Sequence, residues 1–496
     1  MAKEVVTERP DLVDHSSRWS IDEVSRTRNR TQHSCCIPHW QIFVLAPLLW
    51  LLWSKITPHQ RPTLLLSEAS TTVPVDHVPN IGFPESVLRT WAQYAPYIPT
   101  ADYVPPPSRC AISQVNVLQR HGARWPTSSA GTKYKVAVDK LQNIKDYKED
   151  YLTFLRNFTW NFGADDMLPF GAKQSYEAGV VAFNRYAHIV TEDSPPFVRA
   201  ASSQRVIDSA ANWTAGFNSA GHTIKARVDL VLPESGNLTL DDNMCPNSGK
   251  GNAESGKWLA IFAPSITKRL NLAAPGADLT DEDTHNLMSL CAFHSQVTMA
   301  PSPFCGLFTW EDFKGYEYFG DLDKFYGNGY GGNLGRVQGV GYVNELLARL
   351  RRQPIRDNTQ TNRTLDSSPE TFPLDRALYA DFSHDNAMVA IFAALGLFRQ
   401  HRLPGRKLDP VNPSPRRTWY LSSMVPFSGR MVVEKLECTG SDLLATGPFV
   451  RILINDAVQP LEFCGGISGL CQLNAFVESQ WYARQDGDGD FEKCFE

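Results

Sequence analysis

The 496-residue sequence predicts an α/β fold, a mixed sheet flanked by helices with an inserted, mainly α-helical domain. Three places where a short apolar strand runs straight into a helix predict it. Ile112, Val115, Val117 and Leu118 read as a strand leading into RHGARWPT at 120–127. Behind the turn and capping residues Thr127, Ser128 and Ser129, the residues Tyr134, Ala137, Val138, Leu141 and Ile144 recur at helical spacing. FVRAA at 197–201 precedes a second helical face of Val206, Ala210, Trp213 and Phe217, and ALYADF at 377–382 passes through SHDN into an apolar helix reaching Phe398. Strands that pass into helices build α/β layers, and such sheets take ligands in the crevice beyond the carboxyl ends of their strands.

Along the chain, residues 1–36 are polar without apolar periodicity and read as a disordered cytosolic tail. Residues 37–54 form an apolar run at the lower length limit for a membrane span. Arg18, Arg26, Arg28 and Arg30 precede it and only Lys55 and Arg61 follow closely, so it reads as an uncleaved signal anchor with the bulk of the chain lumenal or extracellular. The alternative is a cleavable signal peptide, with Ser67 and Ala69 as the small residues, and secretion. Residues 55–84 are a tether, and 85–496 a folded unit: a core of about 85–165 and 355–496 around a helical insert of about 166–354. MVVEKLEC and FVRILINDAVQPLEF near the end read as antiparallel strands, with Asn455 and Asp456 in the turn. Sequons at Asn157, Asn212, Asn237 and Asn362 suit lumenal glycosylation, whereas Asn29 falls on the cytosolic side. The 10 cysteines fit an oxidising compartment, with Cys35 and Cys36 set apart at the membrane edge, where acylation is a hypothesis. A net charge of -5 excludes general attraction to nucleic acid, so anion binding requires a local cluster of cations.

RHGARWPT supplies such a cluster. Arg120 and Arg124 flank His121 at a strand end, and guanidinium forks match phosphate oxygens at any working pH. Neighbouring cations depress the histidine pKa, leaving a neutral, nucleophilic imidazole. Arg199, in the second strand, is a candidate third fork. SHDN places His384 and Asp385 at a helix N-terminus, where anions are favoured: His384 as a further donor, Asp385 as general acid for a leaving oxygen once burial or a bound phosphate raises its pKa. An acidic pH optimum follows. Taken singly, an Arg-His pair is also a common surface ion-pair element and a His-Asp pair a common cap.

The segments RHGARWPT, GADDMLPFG, FVRAASSQRVIDSA, QGVGYVNELLARL, TLDSSPETFPL and LYADFSHDN resemble the histidine acid phosphatases, within them the fungal phytases, across nearly all of 91–496. The resemblance implies the phosphoglycerate-mutase-like superfold, hydrolysis through a phosphohistidine on His121, and Asp385 as proton donor. It implies phosphate binding by Arg120, Arg124, Arg199 and His384, no metal or other cofactor, and a monomer. It also implies the disulfides Cys110 to Cys438, Cys245 to Cys494, Cys291 to Cys305 and Cys464 to Cys471, a pairing that counting cysteines leaves open. Gln93, Tyr94, Lys133 and Lys324 match the phytase pattern of substrate contacts, but Ala130, Ala300 and Asp323 stand where phytases often have further lysines. Fewer cations weaken the pull on a polyanion, so the expectation is an acid phosphomonoesterase with phytate among its substrates. The alternatives are a broad acid phosphatase with little phytase activity and a non-hydrolytic phosphate-binding or phosphomutase-like protein. Three look-alikes fail on detail. GNAESGK at 251–257 has Trp258 where a P-loop needs Ser or Thr, Gly327, Gly329 and Gly332 follow a poor strand, and Asp486, Asp488 and Asp490 lack the glycine and closing glutamate of a calcium loop.

Overall fold

The computed structural model describes residues 79–496, apart from 222, 250 and 441–444. The chain divides into two units, Met1–Asp76 and His77–Glu496, and the second contains the sheet and its helices. The tail, the span expected at 37–54, Asn29, Cys35, Cys36 and most of the tether lie outside the described residues. Among the described residues no helix is long and apolar enough to cross a membrane.

The sheet runs in the order β3 (Val228–Leu232), β2 (Phe197–Ala201), β4 (Leu378–Ser383), β1 (Cys110–Arg120), β5 (Arg430–Cys438), β6 (Gly447–Ile454) and β7 (Ala457–Val458), with β8 (Cys471–Gln472) also on β6. From β3 to β1 the pairing is parallel, and beyond β1 it is antiparallel. The mixed sheet is therefore as expected, but β2 and β3 belong to it although their residues fall inside 166–354, the stretch expected as a helical insert. β1 is central, and Val115, Val117 and Leu118 are fully covered, as a strand buried on both faces requires. Its register sets Arg120 opposite Ser383, so that His121 and His384, the next residues, leave the sheet as neighbours. Asn455 and Asp456 both take positive φ, the left-handed pair that a two-residue hairpin needs.

Helix α1 (Ser128–Gln142) starts where Thr127 accepts a hydrogen bond from the amide of Ala130, and it buries Tyr134, Ala137, Val138 and Leu141. α2 (Pro169–Tyr186) and α3 (Gln204–Ala220) cross closely. A Cβ on Gly179 would lie 2.0 Å from the Trp213 carbonyl oxygen and one on Gly216 1.9 Å from that of Tyr176, so only glycine admits the approach. The strandless helical run comprises α4 (Asn252–Ala273), α5 (Asp281–Thr298), α6 (Trp310–Gly327) and α7 (Val340–Arg351). α8 (Asp385–Leu395) follows β4 and is capped by Gly396 with φ 88°, a left-handed residue two short of the expected Phe398.

The four disulfides join Cys110 to Cys438, Cys245 to Cys494, Cys291 to Cys305 and Cys464 to Cys471. The first links cysteines already opposite one another on β1 and β5. Of the sequon residues, Asn157 and Asn237 are exposed. Asn212 is half-buried and donates to the Asp208 carbonyl at 2.8 Å, and half-buried Asn362 caps a short helix by accepting from the Leu365 amide.

Candidate active site

His121 sits where β1 ends. Its amide donates to the Ser383 carbonyl and its carbonyl accepts from the Ser428 amide, so the backbone is held on both sides. The following loop is braced against 163–171: the Leu168 amide bonds the Ala123 carbonyl, and the Trp125 amide bonds the Asp166 carbonyl. Gly122 is required there, because a Cβ would lie 2.3 Å from the Gly171 carbonyl oxygen. The imidazole is 1% exposed, and its Nδ1 lies 2.9 Å from the Gly122 carbonyl oxygen. A carbonyl only accepts, so Nδ1 carries the hydrogen and Nε2 the lone pair. Burial first, then Arg120 and Arg124, hold the ring well below its ordinary pKa and keep it neutral in acid.

Arg120 is fully buried over the Phe427 ring. Nη1 donates to the carbonyls of Gln93 and Val425, and Nη2 lies 3.1 Å from Asp385 Oδ2. Arg124 donates Nη1 to the Trp125 carbonyl at 2.8 Å, and its buried Nε has no hydrogen-bond partner. Arg199 does not join them. It is 1% exposed and committed to Asp381 at 2.8 Å and Glu345 at 2.5 Å, beside Arg349, which also pairs with Asp381. Lying in mid-strand opposite Asp381, it faces the α7 layer and serves the core rather than a ligand. The third guanidinium of the cluster is Arg205, in the first turn of α3. Its buried Nε is unpartnered, its charge is felt by His121 and Arg120, and burial and then the Arg124 charge lower its own pKa. The motif FVRAASSQR contained it, four residues past the strand end; attention to strand termini rather than strand interiors would have selected it.

His384 is the N-cap of α8, its ring 5.6 Å from that of His121. Its Nε2 lies 3.1 Å from Glu234 Oε1, a residue that the sequence did not single out. Burial alone would raise the Glu234 pKa, but hydrogen bonds from His384 and Ser203 hold it at about 2. Asp385 differs from expectation. Burial does push its pKa up, but Arg120, Lys324, His121 and Arg124 outweigh burial and keep it ionised, well below the usual carboxylate range. Asp241 is pushed up to about 6, by burial first, with His384 opposing. Glu234, Asp241 and His384 offer ligand atoms within 4.8 Å of one another, yet Glu234 and His384 already satisfy each other by their hydrogen bond.

The remaining expected contacts separate. Lys324 is 13% exposed; burial pulls its pKa down, but Asp323 and Asp385 prevail and hold it charged, and Asp323 Oδ2 lies 3.3 Å from Nζ. With Asp242, Asn328 and Asn386 it lines a cavity of about 310 Å³, to which Gly251 and Gly327 of the two glycine-rich look-alikes also contribute. Gln93 acts through its carbonyl on Arg120, its own side-chain oxygen being buried. Tyr94 packs on Phe293 and Phe427. Lys133 is exposed and paired with Glu282 at 2.8 Å, outside the central cluster.

A neutral histidine ringed by guanidinium groups at the carboxyl ends of parallel strands defines an α/β enzyme built to handle a small anion. Residues 111–455 match the histidine phosphatase superfamily (branch 2). Phytase A of Aspergillus fumigatus is 40% identical over 428 residues, covering 82% of this chain and 90% of that protein. Phytase A of Emericella nidulans is 38% identical over 461 residues, covering 87% and 97%. The phytase structure from D. castellii superposes with a TM-score of 0.66 at 24% identity over 82% of this chain and 87% of that one, a likeness of fold. The Bifidobacterium longum multiple inositol polyphosphate phosphatase in complex with inositol hexasulfate has a TM-score of 0.56 at 15% identity, covering 78% and 96%. The chain belongs to the histidine phosphatase superfamily, branch 2. It is a phosphoric monoester hydrolase.

Proposed function

We propose that this phosphatase works through a phosphohistidine on His121 with Asp385 as proton donor, and that phytate is one of several esters it cleaves. The observation that carries the mechanism is the Nδ1 contact to Gly122, which leaves Nε2 of a neutral imidazole free among Arg120, Arg124 and Arg205. Nε2 attacks phosphorus, the ester P–O bond breaks, and Asp385 gives its proton to the leaving oxygen. Water then attacks phosphorus as the P–N bond to His121 breaks, Asp385 takes the water's proton, and inorganic phosphate leaves with Nε2 restored. The guanidinium groups balance charge on the phosphoryl oxygens throughout.

Substrate breadth is supported by the rim. Lys324 is contested by Asp323, Lys133 is occupied by Glu282, and Ala130 and Ala300 bring no charge. Among the described residues, few free cations therefore face the outer phosphates of a polyphosphate. Assayed at about pH 5, phytate and 4-nitrophenyl phosphate are expected to show comparable kcat/KM, and His121→Ala to abolish both along with the acid-labile, radiolabelled phosphoenzyme. Substantial turnover by His121→Ala would overturn the mechanism, and a strong preference for phytate would overturn the breadth.

The disulfides and the apolar run at 37–54 together support a secretory-pathway enzyme tethered by an N-terminal signal anchor, with the catalytic unit lumenal or extracellular. The full chain is expected to stay with membranes through alkaline carbonate extraction and to lose this on deletion of 1–54. Release of the full chain by carbonate, or recovery of a secreted form beginning near Ala69, would favour cleavage instead.

A further inference from the structure

Glu234 takes no part in the steps just proposed, yet the loops leaving three strands converge on it. It lies two residues past β3. Its carboxylate accepts from His384 Nε2 at 3.1 Å, from the Ser203 amide at 2.9 Å and from Ser203 Oγ at 2.8 Å. Its own amide donates to Ser202 Oγ at 3.0 Å, and its carbonyl accepts from Asn243 Nδ2. Ser202 and Ser203 connect β2 to α3, whose first turn carries Arg205, while His384 caps the helix that begins with Asp385. A single carboxylate thus joins the β2, β3 and β4 loops at the point where the phosphoryl group would sit.

We propose that Glu234 is a positioning residue of the phosphatase reaction, holding His384 by Nε2 so that Nδ1 is presented to the phosphoryl oxygens. A carboxylate only accepts, so Nε2 must carry a hydrogen in this contact. A ring that also donates from Nδ1 to phosphate is an imidazolium, and Glu234 supplies the balancing charge. The fixed Ser203 bonds matter as much as the charge, because they stop Glu234 from following the ring if the ring turns. The role has the logic of an outer partner that orients a ligating histidine, whose removal commonly costs about 10- to 100-fold.

The inference rests on the phosphohistidine reading, and a double-mutant cycle separates the two. Glu234→Ala is expected to lower kcat/KM for 4-nitrophenyl phosphate about 10- to 100-fold and to weaken inhibition by vanadate. In the His384→Ala background the same change is expected to cost no more than about twofold, because the group through which it acts is gone. Equal losses in both backgrounds would sink the positioning role, since a purely structural defect persists whether or not His384 is present. Should Glu234→Ala fail to fold, Glu234→Gln completes the cycle, and circular dichroism checks each variant. An active His121→Ala overturns the underlying mechanism, whereas an inactive His121→Ala with an additive cycle overturns this inference alone.

Discussion

Asp385, the proton donor proposed above, is an ionised partner of Arg120, 3.1 Å away. Substrate resolves the conflict. A phosphate dianion draws on Arg120, Arg124 and Lys324, the charges that hold Asp385 down, and adds negative charge beside it; both effects raise its pKa. Protonation is therefore coupled to substrate binding. Asp385→Asn is expected to lower kcat/KM, which reports phosphoenzyme formation alone, for an alkyl phosphate by about 10²- to 10⁴-fold but that for 4-nitrophenyl phosphate far less, because nitrophenolate leaves without a proton. Equal losses for the two esters would show that Asp385 is not the acid. At this scale the sequence was informative where chemistry is local. RHGARWPT and SHDN each hold their groups within a few residues, and the structure brings His121, Arg120, Arg124, His384 and Asp385 together. Arg199 misled because a strand residue's partner depends on which face it occupies, and its face carries Asp381. Glu234 had no local signature, since its partner His384 is 150 residues further along.

The elements were legible wherever one periodicity sufficed. The faces of α1 and α3 bury the residues expected of them except Ile144, which lies half-buried two residues past the end of α1, and Asn455 and Asp456 make the turn between β6 and β7. What local patterns do not contain is the order in which strands pair. Nothing in FVRAA says that β2 lies between β3 and β4, or that the sheet reaches into the stretch that otherwise reads as helical. The same holds for the glycines. Gly122 reads as part of a motif, but its necessity arises from Gly171, brought against it when the 163–171 segment pairs with the histidine loop. The juxtaposition of His121 with His384 likewise follows from the parallel register of β1 and β4, in which Arg120 meets Ser383. Local chemistry selected the groups, and nonlocal pairing aimed them.

An enzyme that works in acid must also stay folded there, and its own site opposes this. His121 is neutral in the fold and would gain a proton on unfolding, so acid below its ordinary value of 6.5 favours the unfolded chain. Glu234 and Asp381, both held at about 2, stabilise the fold above the ordinary carboxylate range and lose that contribution as pH falls through their folded values. A buried pair elsewhere has the opposite sign. Glu317 and Asp321 lie one turn apart on α6, with Arg417 3.0 Å from Asp321. Burial raises both, and Glu317 pushes Asp321 up further. A carboxyl raised in the fold stabilises fully below its unfolded pKa, and the benefit is lost as pH rises through the folded value. The pair also matters to the site, because Glu317 accepts from the amide of Ala92, the neighbour of Gln93, whose carbonyl holds Arg120. Glu317→Gln removes the titration but misplaces an amide against the Ala92 and Ser422 donors, so it should lower Tm in acid. That deficit is expected to shrink by on the order of 2 °C or more between pH values of about 4.5 and 8, as the wild type loses the Glu317 proton and the variant has none at that position, Asp321 being present in both. A deficit that stays constant across that range would mean that Glu317 does not titrate there and contributes no acid tolerance.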